Sequence, residues 1–499
     1  MFGLAFFILS FCSAVMVPFA PDAPDKPFIL LCLAIILATN GLVLMSKIRQ
    51  PKPVNWLTAD VLFTIGFSLI HFGYFAYWLC DFFEGRGELW HMGASHVPHV
   101  VCKSLAMFSC AINAFLVGYH VVRTRRYVAS INEFRPPNSI AKRWGQLGRL
   151  MVRVAFCCYL LFVAIIGPAI VFGSYAGTNN HSFVANIAYQ IGQVLLISGA
   201  TVSMVARQRF VKLRKRKSLF SLPVGKLDAI LILGTIAAIG LHGDRSLLLV
   251  LMAAGGVGYS EYFRPIKFRF LAIGFVGVIF LLGLIMVYRS GREVNFSIVE
   301  NVNNSMVNMG TSAVCGFVAV DYADDNLSFG QKQTLQLLGI IPFGRRLTGY
   351  PDNPDTNSSM LLTLLIQGKV GSGVAGTGTS AFSDFYFDFG FAGTTFIFLL
   401  LGIGAKTIQN KARTSRSIIW QVAFVNLVSF LAICSRYSVT GGLIRYVLYS
   451  AIYTFVFCYL TGAPRKYSIA KQRRERMLKL QANRMTQTYP GRPNSVNQY

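Results

Sequence analysis

The sequence predicts an all-α polytopic membrane protein with about twelve transmembrane helices, and three observations lead to this prediction. Of the 499 residues, 54% are hydrophobic and 13% are charged, whereas soluble domains carry about 25% charged residues. The apolar residues form blocks of roughly 17–25 residues, the length that a helix needs to cross a hydrocarbon core of about 30 Å. Basic residues are concentrated in alternate loops between these blocks, which is typical of membrane proteins.

The predicted spans begin at the first residues of the chain. The first block lacks a basic n-region, and 18–27 does not look like a small-residue cleavage site, so we interpret this block as a span. The block at 246–258 is too short to cross unless flanking residues extend it or the pair over 227–258 is re-entrant. The predicted spans are 2–17, 28–45, 57–79, 98–122, 150–172, 183–205, 227–241, 246–258, 268–288, 381–404, 417–433 and 442–461.

The distribution of basic residues predicts the orientation. Most of the 47 lysines and arginines lie in the loops 46–56, 123–149, 206–226, 259–267 and 405–417 and in the tail 462–499. Because cytoplasmic loops carry an excess of lysine and arginine, these segments are predicted to be cytoplasmic, as are both termini. This pattern accounts for the net charge of +27 without nucleic-acid binding.

We divide the chain into four parts. Residues 1–288 hold nine spans, 289–380 form one large extracytoplasmic loop, 381–463 hold the last three spans, and 464–499 form a basic tail that we expect to be disordered. In the large loop, apolar stretches alternate with polar turns. That alternation predicts short amphipathic helices that lie on the membrane or pack over a cavity.

Metal and nucleotide sites are not predicted. Most of the ten cysteines lie inside apolar blocks without a CxxC pair, and the seven histidines are scattered. No P-loop or DxD pair is present, so we expect no cofactor and no metal. An enzyme of this kind would need a substrate that is already activated, and a lipid-linked diphosphate is the natural choice in a membrane.

Basic residues on the predicted extracytoplasmic face are not explained by topology. Arginine suits bidentate contacts to phosphate, and charged groups at helix ends inside membrane proteins often mark substrate paths. Alternatively, these residues reach lipid headgroups or pair with acidic residues of the large loop. They are Lys103, Arg245, Arg289, Arg292, Arg345, Arg346, Arg436 and Arg445.

Three local patterns carry further candidates. Asp244 is placed to orient Arg245 in a tight helical hairpin, or simply to cancel its charge there. A glycine-rich turn over 371–376 leads into the helix predicted to start near Ala381; it offers backbone N–H groups to an anion or acts as a flexible linker. Asp384 and Asp388 share one face of that helix and need a compensating partner, either a substrate group or an arginine that fixes the loop to the helix.

The pattern Ser380-x-x-x-Asp384-x-Tyr386-x-x-Phe389-Gly390, preceded by a Gly-Thr-Gly-Thr run, resembles the closing motif of oligosaccharide repeat-unit polymerases of the O-antigen polymerase (Wzy) type. That family more often has glutamate at the position of Asp384. The segment 243–246, Gly-Asp-Arg-Ser, resembles a second element of the family, and the large loop before the third-last span also fits.

The resemblance implies a GT-C-like membrane fold in the bacterial inner membrane. It implies periplasmic transfer of a growing glycan from undecaprenyl diphosphate to a lipid-linked repeat unit, without a metal, and a chain-length regulator of the Wzz type as partner. Asp384 would activate the acceptor hydroxyl, and Arg245 and Arg292 would stabilise the departing diphosphate. Substrate binding would fall to Lys103, Asp244, Arg289, Arg345, Arg346, Tyr386 and Arg436.

Two other functions fit the same architecture. An O-antigen ligase would share fold and donor, but that family places a histidine in the large loop, and 289–380 contain none. A lipid-linked oligosaccharide flippase would predict two similar halves and cationic helix centres. The sequence shows no internal repeat, and its long loop is single. The polymerase is therefore the favoured function.

Overall fold

The computed structural model describes most of the predicted membrane-embedded chain. The described residues are 2–50, 54–79, 97–122, 138–167, 183–213, 224–242, 245–263, 265–274, 277, 298–324, 326–341, 344, 348–349, 354–368, 378–415 and 417–465. Most of the predicted span 268–288 and nearly all of the tail 464–499 therefore lie outside them.

The protein is an all-α multi-pass membrane protein. Its helices are α1 (Phe2–Met16), α2 (Lys26–Ile48), α3 (Ala59–Leu79), α4 (Val101–Val121), α5 (Asn138–Ile166), α6 (Phe183–Leu213), α7 (Lys226–His242), α8 (Arg245–Tyr262), α9 (Ile298–Ala323), α10 (Gln331–Ile340), α11 (Ser358–Gln367), α12 (Ala381–Thr414), α13 (Ile418–Leu431) and α14 (Arg445–Leu460).

Eight segments of the described chain are long and apolar enough to cross a membrane. They are Phe2–Phe19, Lys26–Ile48, Ala59–Ala76, Pro98–Val121, Asn138–Ile166, Val184–Arg207, Ala381–Thr414 and Val439–Leu460. The predicted spans 227–241, 246–258 and 417–433 are also helical, as α7, α8 and α13, but they are not among these eight. Flanking residues extend the block at 246–258 to the 18 residues of α8.

Helix α4 is the centre of the bundle. Its apolar residues are buried almost all round, as expected for a helix enclosed by others. It crosses α12 at two glycines: a Cβ on Gly118 would lie 2.0 Å from Leu399 O, and a Cβ on Gly402 would lie 2.0 Å from Phe115 O. Only glycine allows the two backbones this approach, which is a common way for membrane helices to pack.

The large predicted loop enters the bundle rather than only covering it. Two of its helices, α10 and α11, have 10 residues each, as predicted, but α9 has 26. The second half of α9 is buried against α3 and α4, where a Cβ on Gly316 would lie 2.4 Å from the Phe108 ring. Hydrophobic burial of the stretch from Ala313 to Val320 holds this helix in place.

Helix α12 is divided by a kink at Gly390. This residue has φ 60° and ψ −162°, a conformation that only glycine adopts readily. The first part, 381–389, is a short buried helix, and the long apolar part follows the kink. The resemblance motif therefore occupies a short helix at one end of the bundle, rather than the first turns of a continuous spanning helix as predicted.

The described contacts join residues that the charge pattern assigns to the same side. At one end, Lys47 pairs with Asp60 at 2.7 Å and Arg413 pairs with Glu261 at 2.7 Å. We call this the basic end. At the opposite end, Lys103 pairs with Asp324 at 2.5 Å, close to the motif helix 381–389, and we call this the motif end.

Candidate functional site

The motif helix begins at a capping box. The Ser380 hydroxyl accepts a hydrogen bond from Ser383 N at 3.0 Å, and the Ser383 hydroxyl accepts one from Ser380 N at 2.9 Å. These bonds satisfy backbone N–H groups that a helix start leaves without partners. Gly378 precedes the cap with φ 81°, so the chain turns sharply into the helix. The helix direction, and thus the direction of its acidic residues, is set here.

Asp384 faces the protein interior. It is fully buried. Its Oδ1 accepts a hydrogen bond from Gln336 Nε2 at 2.6 Å, and its Oδ2 lies 2.8 Å from the Ser438 hydroxyl. Within the described chain, no lysine, arginine or histidine contacts this carboxyl group. In the described chain, the carboxyl group of Asp384 thus contacts α10 and the segment before α14, and its role as the base that activates the acceptor stays a prediction.

Asp388 caps a loop helix. It accepts hydrogen bonds from Lys332 N at 3.1 Å and Gln333 N at 2.7 Å, the first free N–H groups of α10. The cap residue Gly330 has φ 86° and no side chain to do this itself. The partial positive charge of a helix N-terminus favours the carboxylate. The two aspartates were expected to need a compensating partner. For Asp388, this partner is a pair of backbone N–H groups of the loop helix α10.

Gln333 joins helix α10 to the motif helix and to the segment before α14. Gln333 Nε2 donates to Asp384 O at 2.8 Å, and Thr440 Oγ1 donates to Gln333 Oε1. Lys332 Nζ donates to Asp355 O at 2.7 Å. Burial lowers the pKa of Lys332, and the Asp388 carboxylate partly opposes this effect. The loop is thus fixed to the motif helix by contacts with α10.

A second set of contacts links the buried Tyr386 of the motif helix to side chains at the surface. Tyr386 Oη donates to Asp324 Oδ1 at 3.0 Å, and Lys103 Nζ donates to Asp324 Oδ2 at 2.5 Å. The side chains of Lys103 and Asp324 are 33% and 41% exposed. One turn away, His99 Nε2 lies 2.7 Å from Asp321 Oδ1. Two predicted residues, Lys103 and Tyr386, therefore meet at an acidic residue of the loop.

Asp324 was not among the predicted site residues. The sequence held a signal for it, because Asp321 and Asp324 share one face of a helix while His99 and Lys103 lie one turn apart on another. The pairing of the two faces could not be read from the sequence, since more than 200 positions separate them. For Lys103, the alternative reading of an ion pair with a loop acid is what the structure shows.

Two predicted arginines near α14 have different surroundings. Arg445 Nη2 donates to Gln190 Oε1, and the guanidinium lies 5.5 Å from the Tyr449 ring centre. Arg436 ends the 3₁₀ turn Cys434–Arg436 and is partly exposed. Its guanidinium makes no hydrogen bond or ion pair with any other residue that the structure describes. Among the described residues, Arg436 is therefore a cation without a partner, two residues before Ser438.

The other predicted cations stay predictions. Helix α8 begins at Arg245, but the side chain of this residue is not described. No three of the histidines, cysteines and acids in the described ranges gather as metal ligands would. Outside the described residues lie Asp244, Arg289, Arg292, Arg345 and Arg346.

Comparison with known proteins gives no relative: no family model, no curated protein and no solved structure matches the chain. The function has to be argued from the residues and their contacts.

Proposed function

We propose that this protein polymerises undecaprenyl-diphosphate-linked oligosaccharide repeat units into a surface polysaccharide. The observation that carries the proposal is the motif helix 381–389, which brings Tyr386 to the exposed pair of Lys103 and Asp324. The proposal includes about twelve spans, a GT-C-like fold, both termini in the cytoplasm of a bacterium and the motif end at the periplasmic face of its inner membrane.

Cations at the motif end support a diphosphate-linked donor. Arg436 has no described side-chain partner and Lys103 is partly exposed, so both are available to an anion. The positive-inside rule depletes cations on this side, so their presence needs a reason. In the proposed reaction these groups, with Arg245, Arg289, Arg292, Arg345 and Arg346, bind the diphosphate and stabilise its charge as it leaves.

An exposed carboxylate supports the acceptor half of the reaction. Asp384 would reach an acceptor only if its contacts to Gln336 and Ser438 broke. Asp324 is open to solvent at the same end. In the proposed step, the Lys103 ammonium group pairs with the donor diphosphate instead of Asp324. The Asp324 carboxylate then accepts the proton of the acceptor hydroxyl.

Bonds and charges balance in this step without a further reactant. The acceptor oxygen forms a bond to the anomeric carbon of the donor glycan, and the bond from that carbon to the diphosphate oxygen breaks. The bonding electrons leave with undecaprenyl diphosphate, and the proton remains on the carboxyl group. A diphosphate is a good leaving group, so the chemistry needs mainly positioning and electrostatic stabilisation.

A deletion strain tests the function directly. Lipopolysaccharide or the corresponding surface glycan is separated on a gel, with the plasmid-borne wild-type gene as control. The proposal predicts core carrying a single repeat unit in the deletion strain and a full ladder after complementation. Core without any repeat unit would instead indicate a ligase or a flippase, and an unchanged ladder would exclude all three functions for this glycan.

Partners follow from the same reaction. The expected partners are membrane lipids, the undecaprenyl-linked substrate and a chain-length regulator of the Wzz type. The regulator would set the length distribution of the ladder. Loss of that regulator should broaden the distribution without removing long polymer.

A further inference from the structure

Three buried side chains at the motif end, Asp384, Gln336 and Ser358, and the half-buried Ser438 form one connected hydrogen-bond network. Asp384 Oδ1 accepts from Gln336 Nε2 at 2.6 Å, and the same amide group lies 3.3 Å from Ser358 Oγ. Ser438 Oγ lies 2.8 Å from Asp384 Oδ2 and 2.5 Å from Gln336 Oε1. The network joins α10, α11, the motif helix and the turn before α14.

The orientation of the Gln336 side chain is fixed by its surroundings. Gly441 N points at Gln336 Oε1 over 3.2 Å, and a backbone N–H can only donate. Rotating the amide by half a turn would place its NH₂ group against that N–H and its oxygen against Asp384 Oδ1. Gln336 Oε1 is therefore an acceptor, and the Ser438 hydroxyl must donate to it if their contact is a hydrogen bond.

Counting hydrogens then determines the state of Asp384. Ser438 makes two oxygen–oxygen contacts, to Gln336 Oε1 and to Asp384 Oδ2, but a hydroxyl has one hydrogen. With an ionised Asp384, one of these contacts would bring two oxygen atoms together without a hydrogen. A proton on Asp384 Oδ2 satisfies both, because the carboxyl group donates to Ser438 and Ser438 donates to Gln336. Ser438 Oγ also accepts from Gly441 N at 2.9 Å, and this N–H shares its one hydrogen between Ser438 Oγ and Gln336 Oε1.

The surroundings of Asp384 favour the neutral form for an independent reason. The residue is fully buried, and no described cation contacts it. Asp388 lies one turn away on the same face, and the two backbone N–H groups that it accepts favour its charged form. A second buried charge beside it would be costly without a partner.

We propose that Asp384 carries a proton and acts as a positioning residue, which fastens loop helix α10 to the motif helix and to Ser438. The network holds the loop over the exposed contact of Tyr386 with Asp324. Only the positioning of the loop for catalysis rests on the proposed function; the proton and the network rest on the contacts alone.

Substitution by asparagine separates this proposal from a role for the carboxylate. In Asp384→Asn, the amide NH₂ replaces the protonated oxygen and donates to Ser438, while the amide oxygen still accepts from Gln336. The variant keeps every hydrogen bond of the network. In Asp384→Ala, Ser438 and Gln336 lose their partner, and buried polar groups without partners destabilise a protein.

Asp388→Asn is the matched comparison. Asp388 uses both oxygens as acceptors for backbone N–H groups, and asparagine has only one acceptor oxygen. Two aspartates one turn apart are therefore expected to respond in opposite ways to the same substitution.

The experiment uses purified full-length protein in detergent at neutral pH. The infrared spectrum of the wild type should contain the C=O stretch of a protonated carboxyl group, which is lost in Asp384→Asn and kept in the exposed control Asp321→Asn. Thermal unfolding should have the same midpoint in Asp384→Asn as in the wild type, and a clearly lower midpoint in Asp384→Ala and in Asp388→Asn.

Two results would overturn the proposed proton and network: a spectrum in which Asp384→Asn removes no such band, or an Asp384→Asn midpoint as low as that of Asp384→Ala. Polymer length in a complemented deletion strain adds a third reading. Asp384→Asn should restore the ladder. A stable Asp384→Asn protein that makes no long polymer would show that the carboxylate takes part in the chemistry.

If the wild type itself makes no polymer, the proposed function fails, while the infrared and thermal results still decide the state of Asp384.

Discussion

The two ends of the helical bundle differ in how far their ion-paired side chains are exposed to solvent. At the basic end, the Lys47–Asp60 pair is almost completely enclosed, with side-chain exposures of 3% and 0%. Arg413 binds both oxygens of Glu261, and Asn55 donates to the same carboxylate at 2.8 Å. Each of these charges is matched inside the protein, so the basic end offers them to no ligand.

At the motif end, Asp388 and Lys332 are buried, but other charged side chains are accessible. Lys103 and Asp324 share an ion pair at the surface, and Arg436 has no side-chain partner in the described chain. Exposed ion pairs contribute little to stability, so these residues are poorly explained as structural elements. The comparison indicates a structural role for the charges of the basic end, and it supports the proposal that the exposed charges of the motif end bind substrate.

The largest expected effect is on the rate of polymerisation. Asp324→Asn keeps the size of the side chain but removes the proposed base, and loss of a general base typically slows a reaction about 10²–10⁴-fold. The rate should be measured with purified protein and a lipid-linked repeat unit. Asp321→Asn is the control, because Asp321 lies in the last turn of α9, three residues before Asp324, with a similarly exposed side chain that faces His99. Equal rates for the two variants would remove Asp324 from the mechanism.

The next effect concerns stability at the basic end. Lys47→Met leaves the Asp60 carboxylate buried without its partner, and breaking such a pair costs about 3–5 kcal/mol of unfolding free energy. The midpoint of thermal unfolding in detergent should fall clearly, whereas Lys103→Met at the motif end should change it little. Adding Asp60→Leu to Lys47→Met should recover much of the loss, because a buried ion pair can be replaced by apolar side chains. Similar losses for both single lysine variants would contradict the contrast between the ends.

A smaller effect is expected at Arg436. Lysine keeps the charge but not the planar fork that binds two phosphate oxygens. We expect Arg436→Lys to raise the KM for the lipid-linked donor about tenfold, with kcat less affected, if one such contact is weakened by about 1.4 kcal/mol. Arg445→Lys serves as the control, because Arg445 already binds Gln190 within the protein. A KM that responds only to Arg445→Lys would place the anion site elsewhere.

The sequence predicted the all-α architecture because apolar length is a local property. Spans such as 98–122 and 28–45 correspond closely to α4 and α2. The depth of α9 could not be predicted, because its polar first turns, with Glu300, are typical of a surface helix, while its burial depends on α3 and α4. The kink at Gly390 could not be predicted either, because a glycine in an apolar run is compatible with a straight helix as well as with a kink.

The site was predicted only in part. The motif pointed to Asp384 and Tyr386, which are both buried but have different partners, α10 and Ser438 for Asp384 and Asp324 for Tyr386. Spacing alone does not determine these partners. The partners of Asp384 are 48 and 54 positions away in sequence. Its burial is therefore a tertiary property. The compensation of Asp388 by backbone N–H groups of α10 belongs to the same class, because no side-chain pattern marks a free helix start on another segment.

The smallest expected effect tests whether the N-cap at Ser380 sets the direction of the motif helix. Ser380 caps this helix, and replacing an N-cap serine by alanine costs about 0.5–2 kcal/mol, whereas glycine costs only a few tenths. Ser380→Ala should therefore lower the unfolding midpoint slightly, and Ser380→Gly less. If the cap also aims Tyr386 at Asp324, then Ser380→Ala should slow polymerisation more than its small loss of stability explains, and Ser380→Gly should stay near the wild-type rate. Equal rates for both variants would mean that the kink at Gly390 and the contacts of Asp388, rather than the cap, fix the direction of the helix.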